Sequence, residues 1–236
     1  MTAGNTERAR LSGGPRFFFL HAAVMAVIVL VAFSLQPLLG RVDYGAMSGM
    51  LYLHGLLFLG WCALAIAQPW LIGRKDRALH RRFGWAGTAL AAALVYSGLA
   101  VTVDGVRAGR LEPANLWMAL NLMTVIPFAA LVAGATLFRK RTDWHRRLLA
   151  SATVLLTGPA WARLMPMEAL GPLGIPAITV IVLALVGWGV VHDRHTRGRI
   201  HPAWWWGAAA VAAPGVLSIP LALLPPFADW AATIPN

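Results

Sequence analysis

Two histidines occupy matching positions in a basic phrase that occurs twice in the chain. The phrase is RKDRALHRRFGW at residues 74–85 and RKRTDWHRRLLA at residues 139–150, and it carries His80 and His145, each followed by Arg-Arg. Neutral imidazole is a ligand for heme iron and for metal ions, and protonated imidazole pairs with anions. The repetition therefore makes His80 and His145 candidates for one shared heme, metal or anion site. Structural anchoring or capping of the two loops is the alternative.

A second group of polar side chains lies inside long apolar runs. His54, Trp61 and Gln68 follow one another at intervals of seven residues. Seven residues turn a helix by about 20° less than two full turns, so the three side chains share one helix face. Polar groups at membrane depth are costly, and they mark either helix–helix contacts or function. His54 is therefore a ligand or a proton relay, unless it bonds to a carbonyl group on a neighbouring helix.

Asn121 and Arg163 are the remaining polar candidates within apolar runs. Asn121 shares a helix face with Trp117 and Thr124 through i, i+4 and i+7 spacing. Pro159 predicts a kink that frees backbone carbonyl groups shortly before Arg163. Arg163 then either extends toward the membrane surface or turns inward to hold an anionic group.

The elements that must position these residues are membrane-spanning helices. The 236 residues are 58% hydrophobic and only 12% charged, whereas a soluble domain carries about 25% charged residues. Apolar runs of about 18 residues or more recur, and each can cross the hydrocarbon layer. The predicted fold is all-α, a polytopic bundle of seven transmembrane helices near residues 17–36, 48–72, 84–104, 116–138, 147–166, 173–191 and 203–224.

The distribution of Lys and Arg predicts how the chain is threaded. Sixteen of the 20 basic residues precede the first span or lie in the loops after spans 2, 4 and 6, and three lie in the intervening loops. Cytoplasmic loops are rich in Lys and Arg, so the N-terminus is predicted to be cytoplasmic and the C-terminus to be outside the cell membrane. The predicted parts are a cytoplasmic segment at 1–16, a transmembrane domain at 17–224 and an external tail at 225–236. Trp204, Trp205 and Trp206 fall where an interfacial aromatic belt is expected.

Charge and cysteine content restrict the partners. The net charge of +11 lies in short loops between apolar runs, which favours the lipid bilayer and anionic lipid headgroups as partners and excludes nucleic acid. The single cysteine, Cys62, excludes an intrachain disulfide and a cysteine-based metal cluster. His192, His195 and His201 lie in one predicted loop and give only a weak metal signal.

The two basic phrases also predict an internal repeat. Each phrase joins two predicted spans that run in the same direction, which gives related hairpins at residues 48–104 and 116–166. His80 and His145 then stand at equivalent starts of the third and fifth spans, on the same side of the membrane.

Two resemblances rest on these residues. The stretches HGLLFLGWCALAIAQPWLIGRKDRALHRRFGW and DWHRRLLASATVLLTGPAWARL resemble an uncharacterised group of bacterial multi-pass membrane proteins, with a His…Trp…Gln…His-Arg-Arg-x-Gly pattern over roughly residues 50–165. More loosely, the pattern is similar to the transmembrane b-type cytochromes, in which histidines on neighbouring helices clamp hemes. That resemblance implies heme b between His80 and His145. His54 has no histidine opposite it on the predicted fourth span, so the resemblance does not extend to a second heme.

Three functions remain open from the sequence. The first is a redox or electron-transfer protein of the bacterial inner membrane that binds heme b or a metal through His80, His145 and, as a further candidate, His54, with a quinone or a membrane complex as partner. The second is a small-molecule transporter or an accessory subunit of a membrane complex, in which the polar stripes line a path or an interface. The third is a membrane-embedded enzyme acting on a lipid or terpenoid, with His54 and Arg163 at an outward-facing pocket.

Overall fold

The fold is built from α-helices throughout the described part of the chain. A computed structural model describes residues 3–42, 45 and 47–234, with side chains from residue 14 onward, and no β-strand occurs in them. The helices are α1 (Ala3–Leu38), α2 (Gly49–Gly73), α3 (Arg77–Arg107), α4 (Ala114–Leu137), α5 (Thr142–Leu155), α6 (Gly158–Leu164), α7 (Met167–Leu170), α8 (Gly174–Arg197), α9 (Ala203–Ala222) and α10 (Pro225–Ala232). A short 3-10 turn, Gly171–Leu173, joins α7 to α8.

Six helical segments have the length and the composition of membrane spans. They are Gly14–Leu38, Gly49–Gly73, Arg77–Arg107, Ala114–Leu137, Met167–Arg197 and Ala203–Ala222. The predicted class, an all-α multi-pass membrane protein, is confirmed by these segments. The predicted number of seven differs from this set because α5 and α6, which cover the predicted fifth span, are only 14 and 7 residues long.

The chain is broken between α5 and α6, next to the proline that predicted a kink. Pro159 is the second residue of α6, and its ring nitrogen has no hydrogen to donate to a preceding turn. The hydroxyl of Thr157 donates to the carbonyl of Val154 at 2.7 Å and so satisfies a carbonyl near the break. From Arg147 to Leu155 the α5 side chains are buried, except for the partly buried Leu149. α5 therefore lies inside the bundle, against α1, α4, α8 and α9.

Side-chain contacts show that the basic segments lie together at one end of the bundle. Arg146 at the start of α5 lies over the ring of Phe18, 5.1 Å from its centroid, and Phe18 is near the start of the Gly14–Leu38 span within α1. Arg197 at the end of α8 pairs with Asp143 on α5 at 3.2 Å, and the first turns of α3 and α5 meet through their histidines. We call this the basic end: the starts of α1, α3 and α5 and the ends of α2, α4 and α8. At the opposite end, the amide of Asn115 donates to the carbonyl of Ala222 at 3.0 Å.

Two glycines allow α5, α8 and α9 to approach closely. A Cβ atom on Gly207 of α9 would lie 2.0 Å from Oγ of Ser151 on α5. A Cβ atom on Gly189 of α8 would lie 2.2 Å from the ring of Trp204 on α9. Since real Cβ atoms do not come this near to other heavy atoms, only glycine fits at either position without movement of its neighbours.

Several predicted boundaries and exposures are corrected by the structure. The predicted loop at 192–202 is half helical, because α8 continues to Arg197 and ends at Gly198, whose φ of 69° suits glycine. Trp204, predicted in the aromatic belt, is fully buried, whereas Trp205 and Trp206 are exposed.

The predicted terminal segments contain helix. α1 begins at Ala3 within the predicted segment 1–16, and α10 lies in the predicted tail 225–236. Residues 1–2 and 235–236 of these segments, and 43, 44 and 46 of the predicted break after the first span, lie outside the described residues.

Candidate functional site

The structure brings the two repeated histidines together at the basic end. His80 is the fourth residue of α3 and His145 is the fourth residue of α5, so the two phrases build equivalent helix starts. The imidazole centroids are 6.4 Å apart and the ring planes are inclined by 81°. Both side chains are partly buried. The predicted shared placement of His80 and His145 is therefore present in the fold.

One hydrogen bond shows which ring nitrogen of His145 carries a proton. Its Nδ1 lies 2.8 Å from the carbonyl oxygen of Ala135 on α4. Because a carbonyl can only accept, Nδ1 carries the ring proton and Nε2 keeps a lone pair. Metal-ligating histidines are commonly oriented in this way, with the second nitrogen donating to a backbone carbonyl.

Gln68 on α2 contacts the other histidine. The Gln68 amide is oriented here so that its nitrogen faces acceptors and its oxygen faces a donor. The amide nitrogen then lies 3.2 Å from the carbonyl oxygen of His80 and 2.5 Å from Nδ1 of His80. The amide oxygen accepts from the N–H of Gly84 at 3.2 Å. In this arrangement Nδ1 of His80 accepts and Nε2 carries the proton. Ligation through Nε2 of His80 requires the Gln68 amide to present its oxygen instead.

The paired histidines have no third protein ligand nearby. Among the described residues, no group of three or more His, Cys, Asp and Glu side chains is placed to hold a metal ion. His192 stacks on Phe17 at 3.8 Å between ring centroids, and His201 packs edge-on against Trp144 at 5.1 Å. The three histidines of the predicted loop, His192, His195 and His201, are therefore not gathered at one point.

A buried ion pair, which the sequence analysis missed, lies beside the histidine pair. Arg147 on α5 and Asp193 on α8 have side chains only 1% exposed, and the guanidinium binds the carboxylate through both Nε, at 2.8 Å, and Nη2. The same carboxylate accepts from the indole N–H of Trp204 at 3.0 Å and from the backbone N–H of His201 at 3.2 Å. Four donors thus hold one buried carboxylate and join α5, α8 and α9.

Asp143 extends this network toward the surface. Its carboxylate contacts Arg146 at 2.6 Å, Arg147 at 3.3 Å and Arg197 at 3.2 Å. Burial acts to raise the pKa of the Asp143 carboxyl, but the three guanidinium groups outweigh burial and hold this pKa below its ordinary value. With three arginines facing two aspartates, the network carries an excess positive charge.

The two His-Arg-Arg phrases differ in what their arginines do. In the second phrase Arg146 and Arg147 enter the network just described, whereas Arg81 and Arg82 of the first phrase are exposed. An acidic residue does not distinguish the two phrases, since the first contains Asp76 and the second Asp143, whereas Asp193 lies in a third basic segment. Basic loops near a membrane surface do not by themselves require acidic partners.

A separate polar group lies between α2, α3 and α4, toward the opposite end. Nδ1 of His54 lies 2.9 Å from Oγ of Ser97, and the amide nitrogen of Asn121 donates to the carbonyl of Gly98 at 3.2 Å. Trp61, which shares the face of His54 and Gln68, packs edge-on against Phe128 at 5.1 Å between ring centroids. The predicted stripe therefore contributes to two places, His54 to this inner group and Gln68 to the histidine pair.

Arg163 is separated from His54 by two phenyl rings. Its guanidinium lies 4.3 Å from the centroid of Phe33 and donates to the carbonyl of Pro159 at 2.9 Å. Phe33 contacts Phe58, and Phe58 contacts His54, with centroids 6.3 and 6.1 Å apart. The described contacts thus join Arg163 to His54 only through aromatic side chains.

No protein-family model, curated protein or solved structure matches this chain. The function must therefore be inferred from the side-chain geometry of the chain itself. The His80–His145 pair is the arrangement in that geometry with the most specific chemistry.

Proposed function

We propose that the protein is a membrane redox protein in which His80 and His145 would hold heme b. The observation that carries this proposal is the pairing of two equivalent histidines, 6.4 Å apart between ring centroids. Two imidazoles that bind one metal ion from opposite sides, each with a metal–nitrogen distance of about 2.0–2.1 Å, have centroids roughly 6 Å apart. The distance of 6.4 Å matches one metal ion held between the two rings, and it also lies within the range of an edge-to-face ring pair.

The ligand count supports heme rather than a bare metal ion. Structural and catalytic metal sites use three or four protein ligands, whereas the porphyrin of heme supplies four nitrogens and needs only axial ligands from the protein. His80 and His145 form a pair without a third ligand in the described part of the chain. The bound group would supply one-electron chemistry. The chain would orient the His145 imidazole through the carbonyl of Ala135 and the His80 imidazole through Gln68, with the Gln68 amide presenting its oxygen to Nδ1 of His80.

The topology proposed with this function follows the basic residues. We infer that the basic end faces the cytoplasm and contacts anionic lipid headgroups of the bacterial inner membrane, since Lys and Arg concentrate there. We also infer that α5 and α6 together make the seventh crossing. α5 starts beside Arg197 at the end of α8, and Met167, which follows α6, contacts the start of α8 at Gly174, so the α5–α6 segment extends along the whole of α8.

The proposal is tested by the visible spectrum of the purified protein. Wild-type protein in mild detergent is expected to show a Soret band that shifts when dithionite is added, with iron present in the same sample. His80→Ala and His145→Ala should each remove that band. His195→Ala is the matched control, because His195 is an exposed histidine at the same end and should leave the spectrum unchanged. A colourless, metal-free wild type, or full cofactor content in both alanine variants, would contradict the proposal.

A further inference from the structure

His54, Ser97 and Asn121 converge on Gly98 inside the membrane-spanning bundle. A Cβ atom on Gly98 would lie 3.7 Å from Cε1 of His54 and 4.0 Å from the amide nitrogen of Asn121. Asn121 is the eighth residue of α4. At a rise of 1.5 Å per residue, the cluster therefore lies about 10 Å along the helix axis from the first residue of α4, which is at the end of the bundle opposite the basic end. Three different helices thus direct polar side chains to one point within the hydrocarbon layer.

The hydrogen bonds of the cluster leave two acceptors without a donor. The Ser97 hydroxyl has one hydrogen and donates it to the carbonyl of Leu94 at 3.3 Å. With that hydrogen on Leu94, Nδ1 of His54 donates to Ser97 at 2.9 Å, and in this tautomer Nε2 of His54 is an acceptor. Asn121 donates through its nitrogen to Gly98, and its buried side-chain oxygen has no hydrogen-bond partner among the described residues.

An unpaired acceptor in a low-dielectric interior is unfavourable, because it has lost water without gaining a donor. Oδ1 of Asn121 is buried and requires a hydrogen from outside the described contacts, and Nε2 of the partly buried His54 can accept a second one in this tautomer. The chemistry of the cluster therefore selects a ligand that carries a hydrogen-bond donor, and it disfavours one that carries only acceptors.

The surroundings of the cluster are apolar. Val125 lies 3.5 Å from the Cβ position on Gly98, and the ring of Phe58 is 6.1 Å from the imidazole of His54. Leu53 and Leu56, which flank His54 on α2, are exposed on the outer surface of the bundle. A ligand that reaches this depth from the bilayer needs an apolar body, and an aromatic one can pack against Phe58.

We propose that His54 and Asn121 bind a hydroxyl group of a hydroquinone that is dissolved in the membrane. The requirement for a hydroxyl donor rests on the hydrogen bonds of the cluster alone, whereas the choice of a hydroquinone rests on the proposed redox function. The site binds the reduced, hydroxyl-bearing form of such a molecule, with its ring beside Phe58 and one hydroxyl donating its hydrogen to the carboxamide oxygen of Asn121, next to the imidazole of His54.

The test compares a hydroquinone with its dimethyl ether, which has the same ring and no hydroxyl hydrogen. Binding of tritiated decyl hydroquinone to the purified full-length protein is measured anaerobically by scintillation proximity, and the ether is used as competitor. We expect the ether to bind at least tenfold more weakly than the diol. Asn121→Leu and His54→Phe should each weaken diol binding by about tenfold or more. Thr124→Val is the control, because the Thr124 hydroxyl bonds within its own helix to Leu120 at 2.8 Å, and it should change diol binding less than twofold.

A second pair of variants separates loss of the ligand from loss of the fold. Gly98→Ala keeps both acceptors and makes only ordinary van der Waals contacts, yet its methyl group fills the space between them, so diol binding should fall by about tenfold. Gly87→Ala on the same helix, with its Cβ 3.6 Å from Leu64, should retain wild-type binding. Equal affinity for diol and ether, absence of diol binding, or unchanged binding in both Asn121→Leu and Gly98→Ala would overturn the inference.

The failures of the two proposals can be told apart. His145→Ala should lose the visible spectrum and keep the preference for diol over ether, because it does not touch the cluster. A colourless wild type that discriminates diol from ether would contradict the heme proposal and support the hydroxyl site. A coloured protein that binds the diol and the ether equally would support the heme proposal and contradict the hydroxyl site.

Discussion

Removing one member of the buried Arg147–Asp193 pair should destabilise the protein strongly. Arg147→Met keeps most of the side-chain volume but takes away two of the four donors that hold the Asp193 carboxylate. The carboxylate would then remain buried with only the indole of Trp204 and the backbone N–H of His201 as partners. Breaking a buried ion pair from one side costs about 3–5 kcal/mol, which lowers the ratio of folded to unfolded protein by a factor of roughly 150 to 5,000.

The assay is equilibrium unfolding of the purified protein in mixed micelles, with the free energy of unfolding measured for each variant. Arg82→Met is the matched control. Arg82 holds the position in the first His-Arg-Arg phrase that Arg147 holds in the second, and it is exposed, so its loss should change the free energy by less than about 0.5 kcal/mol. The double variant Arg147→Met/Asp193→Leu should recover much of the loss, because no unpaired charge stays buried. A cost for Arg147→Met below about 1 kcal/mol, or exact additivity in the double variant, would refute the reasoning.

Three further predictions concern the same end of the bundle and use the same unfolding assay. Trp204→Phe keeps a ring in place but removes one donor to the buried carboxylate, and it should cost about 1.5–3 kcal/mol; a wild-type value would show that the indole N–H contributes nothing. Gly207→Ala forces a methyl group against Ser151 and should cost about 1–3 kcal/mol, whereas Gly187→Ala, with nothing within 4 Å of its Cβ position, should be neutral; equal effects would contradict the close approach of α5 and α9. The lowered pKa of Asp143 means that its contribution is present above the ordinary carboxyl pKa of about 3.9 and is lost as the pH falls through the lower, folded-state value. Asp143→Asn should therefore flatten the acid limb of stability against pH, and an unchanged acid limb would contradict this assignment.

The class of the fold and the meeting of the two histidines could be predicted from the sequence, and both depend on local patterns. Apolar runs of membrane-spanning length recur, so helices and a bilayer follow from composition. The repeated phrase places His80 and His145 at the same distance from the start of their helices, and two helices that start at the same end of a bundle can bring such residues together. Neither inference requires knowledge of how the helices pack.

The buried pair could not be predicted because it depends on packing between distant helices. Arg147 and Asp193 are 46 residues apart, and the sequence places the aspartate in what resembles a polar loop. α8 continues through that segment, and the turn of the helix directs Asp193 inward to α5 and α9. A single acidic residue in a basic segment was the available signal, but it does not identify its partner.

The fifth predicted span illustrates a second limit of hydropathy. α5 carries Arg147, Ser151, Thr153 and Thr157 along or just after its length, and these side chains are buried by protein and not by lipid. A helix enclosed by other helices does not need an apolar outer face. Arg147 binds Asp193, and Thr153 and Thr157 donate to carbonyl groups of α5. An apolar run such as 147–166 therefore predicts a buried segment without showing whether lipid or protein buries it.

The proposal that His80 and His145 would hold the iron of heme b is tested most directly by the low-temperature electron paramagnetic resonance spectrum of the oxidised wild-type protein. Imidazoles that kept the 81° inclination between their ring planes when bound to iron would leave two iron d orbitals close in energy, and a strongly anisotropic low-spin signal is expected. That signal should disappear in His145→Ala and persist in His195→Ala. A high-spin signal in the wild type, or no iron signal at all, would contradict the bis-histidine site.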